Sequence, residues 1–311
     1  MRAVNALILE RMHSPVALIP QLATYLIAAG GKRIRPLLTL ATTQLYQGDM
    51  TLAHKLSASV EFIHTATLLH DDVADESLER RGQDTANVVF GNQASVLVGD
   101  FLFSRAFQLM TECGSIEVLR ILSESSAIIA QGEVLQLTTA QNLDTTLETY
   151  LEVITAKTAA LFSAACEVGP VIAGAPPPHC HAMAQYGLNM GIAFQIADDT
   201  LDYTAEQKTL GKTVGDDFRE GKMTAPVLFA LKEADTSERA FWHRTMTLRD
   251  QTPTDLAHAQ ALIAGHNAIN QSMTLARQYG DRAVNALSLL PETPLRQILA
   301  DLVSYAITRN S

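Results

Sequence analysis

Two clusters of aspartates are the residues of this chain whose type and spacing most clearly suggest chemistry. Each cluster has the pattern Asp-Asp-x-x-Asp and follows a long apolar run; the two sets are Asp71, Asp72 and Asp75, and Asp198, Asp199 and Asp202. In a helix, residues four apart share a face, so the first and last aspartate of each cluster project together. Carboxylate oxygens without histidine or cysteine suit a hard cation. Mg²⁺ sharing phosphate oxygens fits this set, and Mn²⁺ accepts the same ligands.

One such cluster alone is more often a solvated helix end than a metal site. Two clusters, each closing a long apolar run, instead indicate acidic groups at the mouth of a cavity.

Basic side chains accompany the acidic clusters. They are Lys32, Arg33 and Arg35 in GGKRIRP, and Arg80, Arg81, Lys157, Lys212 and Lys222 further along. Guanidinium groups suit bidentate phosphate contacts, and lysine supplies a point charge. Each of these residues alone is best explained as a solvated surface charge. Together with the two acidic clusters they indicate two diphosphates, one held through Mg²⁺ and one held directly.

Helices must position these groups, because apolar residues recur at spacings of three and four along the chain. The pattern predicts one helix over residues 56–80 and another over 181–204, and each carries one aspartate cluster. No alternating strand pattern of useful length occurs. We therefore expect a single all-α domain over residues 1–311, a helical bundle around a central cavity.

Local signals predict several helix ends. Ser14 followed by Pro15 is typical of a helix start, and Thr145 with Glu148 has the spacing of a capping box. The triple proline Pro176–Pro178 predicts a break between two helices.

Composition excludes several classes of protein. The formal net charge of −10 disfavours a nucleic-acid surface. Three cysteines without a CxxC pair make a poor disulfide framework, so a reducing cytoplasm is expected. The N-terminal segment lacks the apolar run of a signal peptide, and no run suits a transmembrane span. At most a transient membrane contact is expected.

Several motifs resemble the trans-type isoprenyl diphosphate synthases, also called polyprenyl synthetases. GGKRIRP, EFIHTATLLHDDVADESLERRG, GNQASVLVGD, GEVLQL, KTA and FQIADDTLDY occur in the order typical of that family. Within the family, the chain is most similar to the long-chain octaprenyl and decaprenyl type. The resemblance implies an all-α isoprenoid synthase fold, a homodimer and a role in making quinone side chains.

The resemblance also implies roles for individual residues. Asp71 and Asp75 would bind Mg²⁺ with support from Asp72, and Asp198 would bind Mg²⁺ while Asp199 and Asp202 hold its waters. Arg80, Lys157 and Lys212 would hold the allylic diphosphate (farnesyl or geranyl), with Lys222 nearby. Lys32, Arg35, His64 and Arg81 would hold isopentenyl diphosphate. Thr158 and Gln195 would steady the allylic cation.

The implied reaction is ionisation, condensation and elimination in a dry cavity. Product length would depend on Thr67 and Ala66, one turn before Asp71. Both are small, whereas short-chain relatives carry a large aromatic there, so we expect a product longer than geranylgeranyl diphosphate.

Alternative functions remain open at this point. A shorter-chain farnesyl or geranylgeranyl diphosphate synthase would share the same motifs, and so would a non-catalytic subunit of a heteromeric synthase. A terpene cyclase would not need GGKRIRP. A di-iron carboxylate bundle would use the ExxH spacing of Glu61 with His64.

Overall fold

The computed structural model describes residues 1–28, 30–80, 82–204 and 214–308. Within these ranges the chain is almost entirely helical, which confirms the all-α prediction. The helices of the first half are α1 Arg2–Arg11, α2 Leu18–Ala28, α3 Ile34–Leu45, α4 Met50–Ala74, α5 Ala86–Phe90, α6 Asn92–Glu112, α7 Ile116–Thr139 and α8 Leu147–Ile154. Those that follow are α9 Ala160–Ile172, α10 Pro177–Thr204, α11 Asp216–Glu220, α12 Ala225–Glu233, α13 Thr236–Trp242, α14 Asp255–Gly265, α15 Ala268–Ala286 and α16 Pro294–Thr308.

Short irregular elements complete the described chain. Two π-helical turns cover Thr155–Ala159 and His243–Thr247, and a 3₁₀ turn covers Leu287–Leu289. Strands β1 (Glu79–Arg80) and β2 (Gln83–Asp84) form an antiparallel hairpin. Among the helices that the structure describes, none combines the length and apolarity needed to cross a membrane.

The chain divides into two compact units. The first unit comprises Met1–Ser126, Leu161–Gly187 and Leu289–Arg296. The second comprises Ala127–Ala160, Leu188–Ser288 and Gln297–Ser311. The single-domain organisation stays a prediction.

The core of the first unit is built around α4, which packs most extensively against α6 and then against α3 and α1. Phe62 and Leu69 of α4 and Leu102 of α6 are almost fully buried. In the second unit, α12 packs against α15 and α14, and Trp242 and Phe218 are large side chains that are almost completely buried. Burying such side chains contributes about 1.5–3 kcal/mol each, so these contacts fix the helices that carry the polar residues.

Helix α4 differs from its predicted bounds. Asp49 caps its start, where the carboxylate accepts a hydrogen bond from the Thr51 backbone N–H at 2.6 Å. The prediction that it continues to residue 80 is wrong: α4 ends at Ala74, and Glu76 adopts the left-handed region with φ of 53°. The chain then turns into β1. The first aspartate cluster therefore lies at the end of this helix.

The other predicted boundaries had mixed outcomes. Helix α10 confirms the prediction over 181–204, and the break before it covers residues 173–176, since α10 begins at Pro177, the second of the three prolines. The start at Ser14–Pro15 is wrong, since α2 begins at Leu18 and the Ser14 hydroxyl accepts a local bond from the Val16 N–H. Helix α8 is capped by Thr146, one residue beyond the prediction, through a 3.1 Å bond from the Thr149 N–H.

Candidate active site

The first aspartate cluster closes α4 in the first unit. Asp72 is buried, and one of its oxygens accepts hydrogen bonds from Arg80 Nε at 2.8 Å and from a terminal guanidinium nitrogen at 2.6 Å. Asp71 and Asp75 are half-buried. The negative end of the helix dipole lies here without a basic residue in the last turn, so three carboxylates at this end need a compensating cation.

The hairpin formed by β1 and β2 positions Arg80. The strand pair aligns Arg80 with Gln83, and Gly82 makes the turn with φ of 74°. Burial lowers the pKa of the Arg80 guanidinium, but the charges of Asp72, Asp71 and Asp75 outweigh this and raise the pKa overall. Arg80 therefore stays positively charged.

The GGKRIRP segment places its three basic residues differently. Arg33 forms an ion pair with the buried carboxylate of Glu61 on α4. Arg35 lies over the Phe162 ring, with its guanidinium carbon 4.3 Å from the ring centre. Burial lowers the pKa of Arg35 to about 10, and Glu61 opposes the shift, so the side chain remains charged at neutral pH. Lys32 is exposed.

A cavity in the first unit brings several of these groups together; we call it the α4 cavity. Its polar lining includes Arg33, Glu61, His64, Asp72 and Arg80. Its apolar lining includes Ile8, Met12, Leu26, Phe62, Leu68, Leu69 and Leu102. A site with two guanidinium groups and an apolar wall suits a small anion that carries a hydrocarbon part.

The second aspartate cluster lies on the last turns of α10 in the second unit. Asp199 is buried and accepts hydrogen bonds on both oxygens, from Tyr150 Oη at 2.6 Å and from Gln195 Nε2 at 2.7 Å. Burial raises the pKa of Asp199 to about 7, while the bonds from Tyr150 and Gln195 oppose that shift. Asp198 is half-buried on the same helix.

The Asp202 carboxylate is bonded to backbone groups, whereas that of Asp199 is bonded to side chains. Its carboxylate accepts hydrogen bonds from the backbone N–H groups of Gly215, Asp216 and Asp217 at 3.2, 3.3 and 3.1 Å. These N–H groups belong to the start of α11, so Asp202 satisfies donors that have no partner within that helix. Asp217 is a further carboxylate beside this cluster that the sequence reasoning missed.

The π-helical turn Thr155–Ala159 presents Lys157 and Thr158 on consecutive positions. Thr158 Oγ1 donates to Gln195 Oε1 at 2.8 Å, and Lys157 Nζ donates to Glu133 Oε2 at 2.7 Å. Glycine is required at position 132 of α7, because a Cβ there would lie 2.7 Å from the Cβ of Ala156. Such π-helical turns frequently occur at functional sites.

The remaining predicted site residues are placed as follows. Lys222 forms an ion pair with Glu220. Ala66 is fully buried on α4, and Thr67 is half-buried with its hydroxyl donating to the His64 carbonyl oxygen at 2.9 Å. Arg81 and Lys212 lie outside the described residues.

Some functional candidates were missed by sequence reasoning. Tyr150 lies seven positions before Lys157 among apolar residues, and a tyrosine in such a run gives no sign of a role in the site. Glu133 belongs to GEVLQL, which was noted as a motif without a role for the glutamate. The sequence indicates Glu61 only as an alternative iron ligand, and the structure pairs it with Arg33 instead.

The donor set suits a hard cation, since the carboxylates of both clusters supply only oxygen. Within the described ranges, no group of three or more histidine, cysteine, aspartate or glutamate side chains is already gathered for a metal ion. Mg²⁺ sites of this kind commonly complete their ligand sets with substrate phosphates and waters.

Known proteins of one family resemble this chain over most of its length. Residues 16–263 match the model of the polyprenyl synthetase family. The octaprenyl diphosphate synthase of Escherichia coli (strain K12) is 45% identical over 312 residues, covering 100% of this chain and 96% of that protein.

Two solved structures are also similar. A decaprenyl diphosphate synthase from Rhodobacter capsulatus is 54% identical with a TM-score of 0.94, covering 100% of this chain and 96% of that one. A polyprenyl synthase from Caulobacter crescentus CB15, complexed with calcium and isoprenyl diphosphate, is 50% identical with a TM-score of 0.97, covering 100% and 95%. These findings confirm the sequence-based predictions of a prenyltransferase and of its long-chain polyprenyl diphosphate synthase type. The chain belongs to the polyprenyl synthetase family.

Proposed function

We propose that this protein lengthens an allylic diphosphate by successive head-to-tail addition of isopentenyl diphosphate, with Mg²⁺ as its metal. One observation carries the proposal. Each aspartate cluster ends a long apolar helix, and its middle carboxylate is bonded to a group suited to this reaction, Arg80 in one case and Gln195 in the other.

The carboxylates have distinct roles in this proposal. Asp71 and Asp75 bind metal from α4 with support from Asp72, and Asp198 binds metal from α10. Asp199 and Asp202 orient the waters of that metal. Mg²⁺, when bound, offsets negative charge on the departing diphosphate and so lowers the barrier to breaking the C–O bond.

Basic residues hold the two diphosphates. Arg80, Lys157 and Lys212 bind the allylic diphosphate, with Lys222 near them. Lys32, Arg35, His64 and Arg81 bind isopentenyl diphosphate. We add Arg33 to this group, because its side chain lines the α4 cavity together with that of His64.

The reaction proceeds by ionisation, condensation and elimination. The allylic C–O bond breaks, and the isopentenyl double bond attacks the resulting cation. A proton is then lost to the released diphosphate. Thr158 and Gln195 steady the cation with their oxygen dipoles, and the apolar helix faces exclude water that would quench it.

Product length depends on α4 one turn before the first cluster. Ala66 is fully buried there, so a larger side chain has to displace its surroundings. Its small size, together with that of Thr67, lets the growing tail extend along the helix. The allylic substrate is farnesyl or geranyl diphosphate, and the product is longer than geranylgeranyl diphosphate.

A homodimer and a cytoplasmic location belong to the same proposal. An apolar surface of the first unit supports the dimer: Val88 and Val89 of α5 are each 47% exposed, and Leu97 of α6 is 66% exposed. Covering such side chains with a second copy removes apolar surface from water. The cysteines Cys113, Cys166 and Cys180 are free, which suits a reducing compartment.

A product assay tests the proposed function. The purified chain is incubated with Mg²⁺, labelled isopentenyl diphosphate and farnesyl diphosphate, and the dephosphorylated products are sized. We expect a ladder that ends well beyond geranylgeranyl and that disappears when the metal is chelated. No incorporation by the chain alone would contradict the proposal and favour a non-catalytic subunit.

The Ala66→Phe variant tests the product-length argument in the same assay. We expect shorter products, because the aromatic ring blocks the path beside α4. Ala182→Phe on α10 is a control for the general effect of a bulky residue at a buried alanine. Unchanged product length in Ala66→Phe would contradict the argument and leave the enzyme class intact.

A further inference from the structure

A chain of three hydrogen bonds in the second unit ends on a residue that the reaction does not otherwise use. Tyr150 Oη donates to Asp199 Oδ2 at 2.6 Å, and Gln195 Nε2 donates to Asp199 Oδ1 at 2.7 Å. Thr158 Oγ1 then donates to Gln195 Oε1 at 2.8 Å. Tyr150 is 4% exposed, so water has little access to this end of the chain.

We propose that Tyr150 is a positioning residue, which acts through Asp199 to orient the side-chain oxygens of Gln195 and Thr158. The inference rests on the proposed function, in which those oxygens steady the allylic cation. It assigns a role to a tyrosine outside the aspartate clusters and outside the KTA motif.

The direction of the bonds supports this role. In its ionised form Asp199 only accepts hydrogen bonds, so the amide group of Gln195 turns its NH₂ towards Asp199. Its Oε1 consequently points to Thr158, whose hydroxyl uses its one proton on that oxygen. The lone pairs of the Thr158 oxygen are then directed away from Gln195. The orientation of both oxygens is therefore determined by where the Asp199 carboxylate lies.

Tyr150 holds that carboxylate through the oxygen that Gln195 does not use. The phenol has a single proton, which it donates to Asp199, so it connects the carboxylate to α8.

The neighbouring groups explain why loss of the Tyr150 hydroxyl should affect Gln195 and Thr158. The Thr158 side chain comes from the π-helical turn, which Gly132 allows to approach α7 closely. Loss of the Tyr150 hydroxyl leaves an Asp199 oxygen buried without its donor, and the carboxylate must then rotate to find another. Rotation of Asp199 removes the constraint on Gln195, and hence on Thr158.

A double-mutant cycle tests the proposal. Tyr150→Phe removes only the hydroxyl oxygen, and we expect kcat to fall about tenfold, the size of one oriented hydrogen bond, with KM for isopentenyl diphosphate changed less than about twofold. In a Gln195→Ala background the same change should have almost no further effect on kcat, because the residue through which Tyr150 acts is gone. Tyr186→Phe, another fully buried tyrosine, is the control and should leave kcat unchanged.

Two outcomes would overturn the proposal: the same fold-loss in both backgrounds, or a rise in KM with kcat preserved. A crystal structure of Tyr150→Phe provides a readout that needs no activity. We expect Gln195 Oε1 and Thr158 Oγ1 to separate beyond hydrogen-bonding distance, and an unchanged 2.8 Å bond would contradict the positioning role. If the unaltered chain forms no product, the proposed function fails, and the crystal geometry alone then decides the role of Tyr150.

Discussion

The two aspartate clusters have the same sequence pattern, but their side chains are bonded differently. The middle aspartate of the first cluster, Asp72, is paired with the charged guanidinium of Arg80. Within the part of the chain that the structure describes, the middle aspartate of the second cluster, Asp199, accepts bonds from neutral groups, the Tyr150 hydroxyl and the Gln195 amide. Both middle carboxylates are buried, and each is bonded to a side chain outside its cluster.

The last aspartates differ as well. Asp75 directly follows the last residue of α4, where its negative charge meets the negative end of the helix dipole. Asp202 instead accepts three backbone N–H groups at the start of α11. Its charge is stabilised there because helix starts favour negative groups.

The difference teaches that one pattern of carboxylates supports two tasks. In the first unit, the middle aspartate holds a cationic side chain at the α4 cavity, which suits an anionic diphosphate. In the second unit, the middle aspartate orients neutral oxygens, which suit a carbocation. Three kinds of substitution test this comparison, with expected effects from large to small.

Substitution of the first aspartate in each cluster should have the largest effect. Asp71→Asn and Asp198→Asn each remove a proposed metal ligand, and we expect kcat/KM to fall about a thousandfold, since a metal supplies several kcal/mol of charge stabilisation. Rates of isopentenyl incorporation at saturating Mg²⁺ measure this. Asp301→Asn on the exposed face of α16 is the control. Near-normal activity in either variant would remove that residue from the metal site.

Substitution of the middle aspartates should separate the two clusters in stability. Asp72→Asn leaves the Arg80 charge without its partner, and we expect the free energy of unfolding to fall by about 2 kcal/mol, less than for a fully buried pair because the Arg80 side chain is 29% exposed. Asp199→Asn exchanges a carboxylate for a neutral group among neutral partners, so we expect a loss of about 1 kcal/mol or less. Urea unfolding of the metal-free protein measures both values. Equal losses would show that the charged partner has no special importance.

Substitution of the last aspartates should have the smallest effects, and these should differ in size. Asp202→Ala removes an acceptor from three N–H groups, and the free energy of unfolding should fall by about 1 kcal/mol. Asp75→Ala removes a charge whose unfavourable position at a helix end offsets its attraction to Arg80, so the free energy should change by no more than a few tenths of a kcal/mol, about the usual size of this dipole effect. The same urea measurement without metal applies. Destabilisation by both variants to the same degree would contradict the distinction between them.

The sequence allowed the fold class, the family and both clusters to be predicted, because helical spacing and carboxylate spacing are local patterns. It also named Thr158 and Gln195 for the same task, and the structure places them in one hydrogen bond. The end of α4 was not predictable in this way. Glu76, rather than a glycine, adopts the left-handed backbone there, so the sequence carries no familiar stop signal.

The partners of the charged groups could not be predicted from the sequence either. Glu61 and Arg33 are 28 positions apart, and Tyr150 and Asp199 are 49 positions apart. Such pairs depend on how helices pack, which the periodicity of a single helix does not specify. A buried tyrosine or glutamate in an apolar run therefore looks like ordinary core until its neighbour is known.

Steady-state kinetics of the two middle-aspartate variants test the central comparison most directly. For Asp72→Asn we expect KM for a diphosphate substrate to rise about tenfold with a smaller change in kcat, because Arg80 loses the group that holds it. For Asp199→Asn we expect kcat to fall about tenfold with KM nearly unchanged, because the oxygens that steady the cation lose their orientation. Equal changes of the same parameter in both variants would contradict the account.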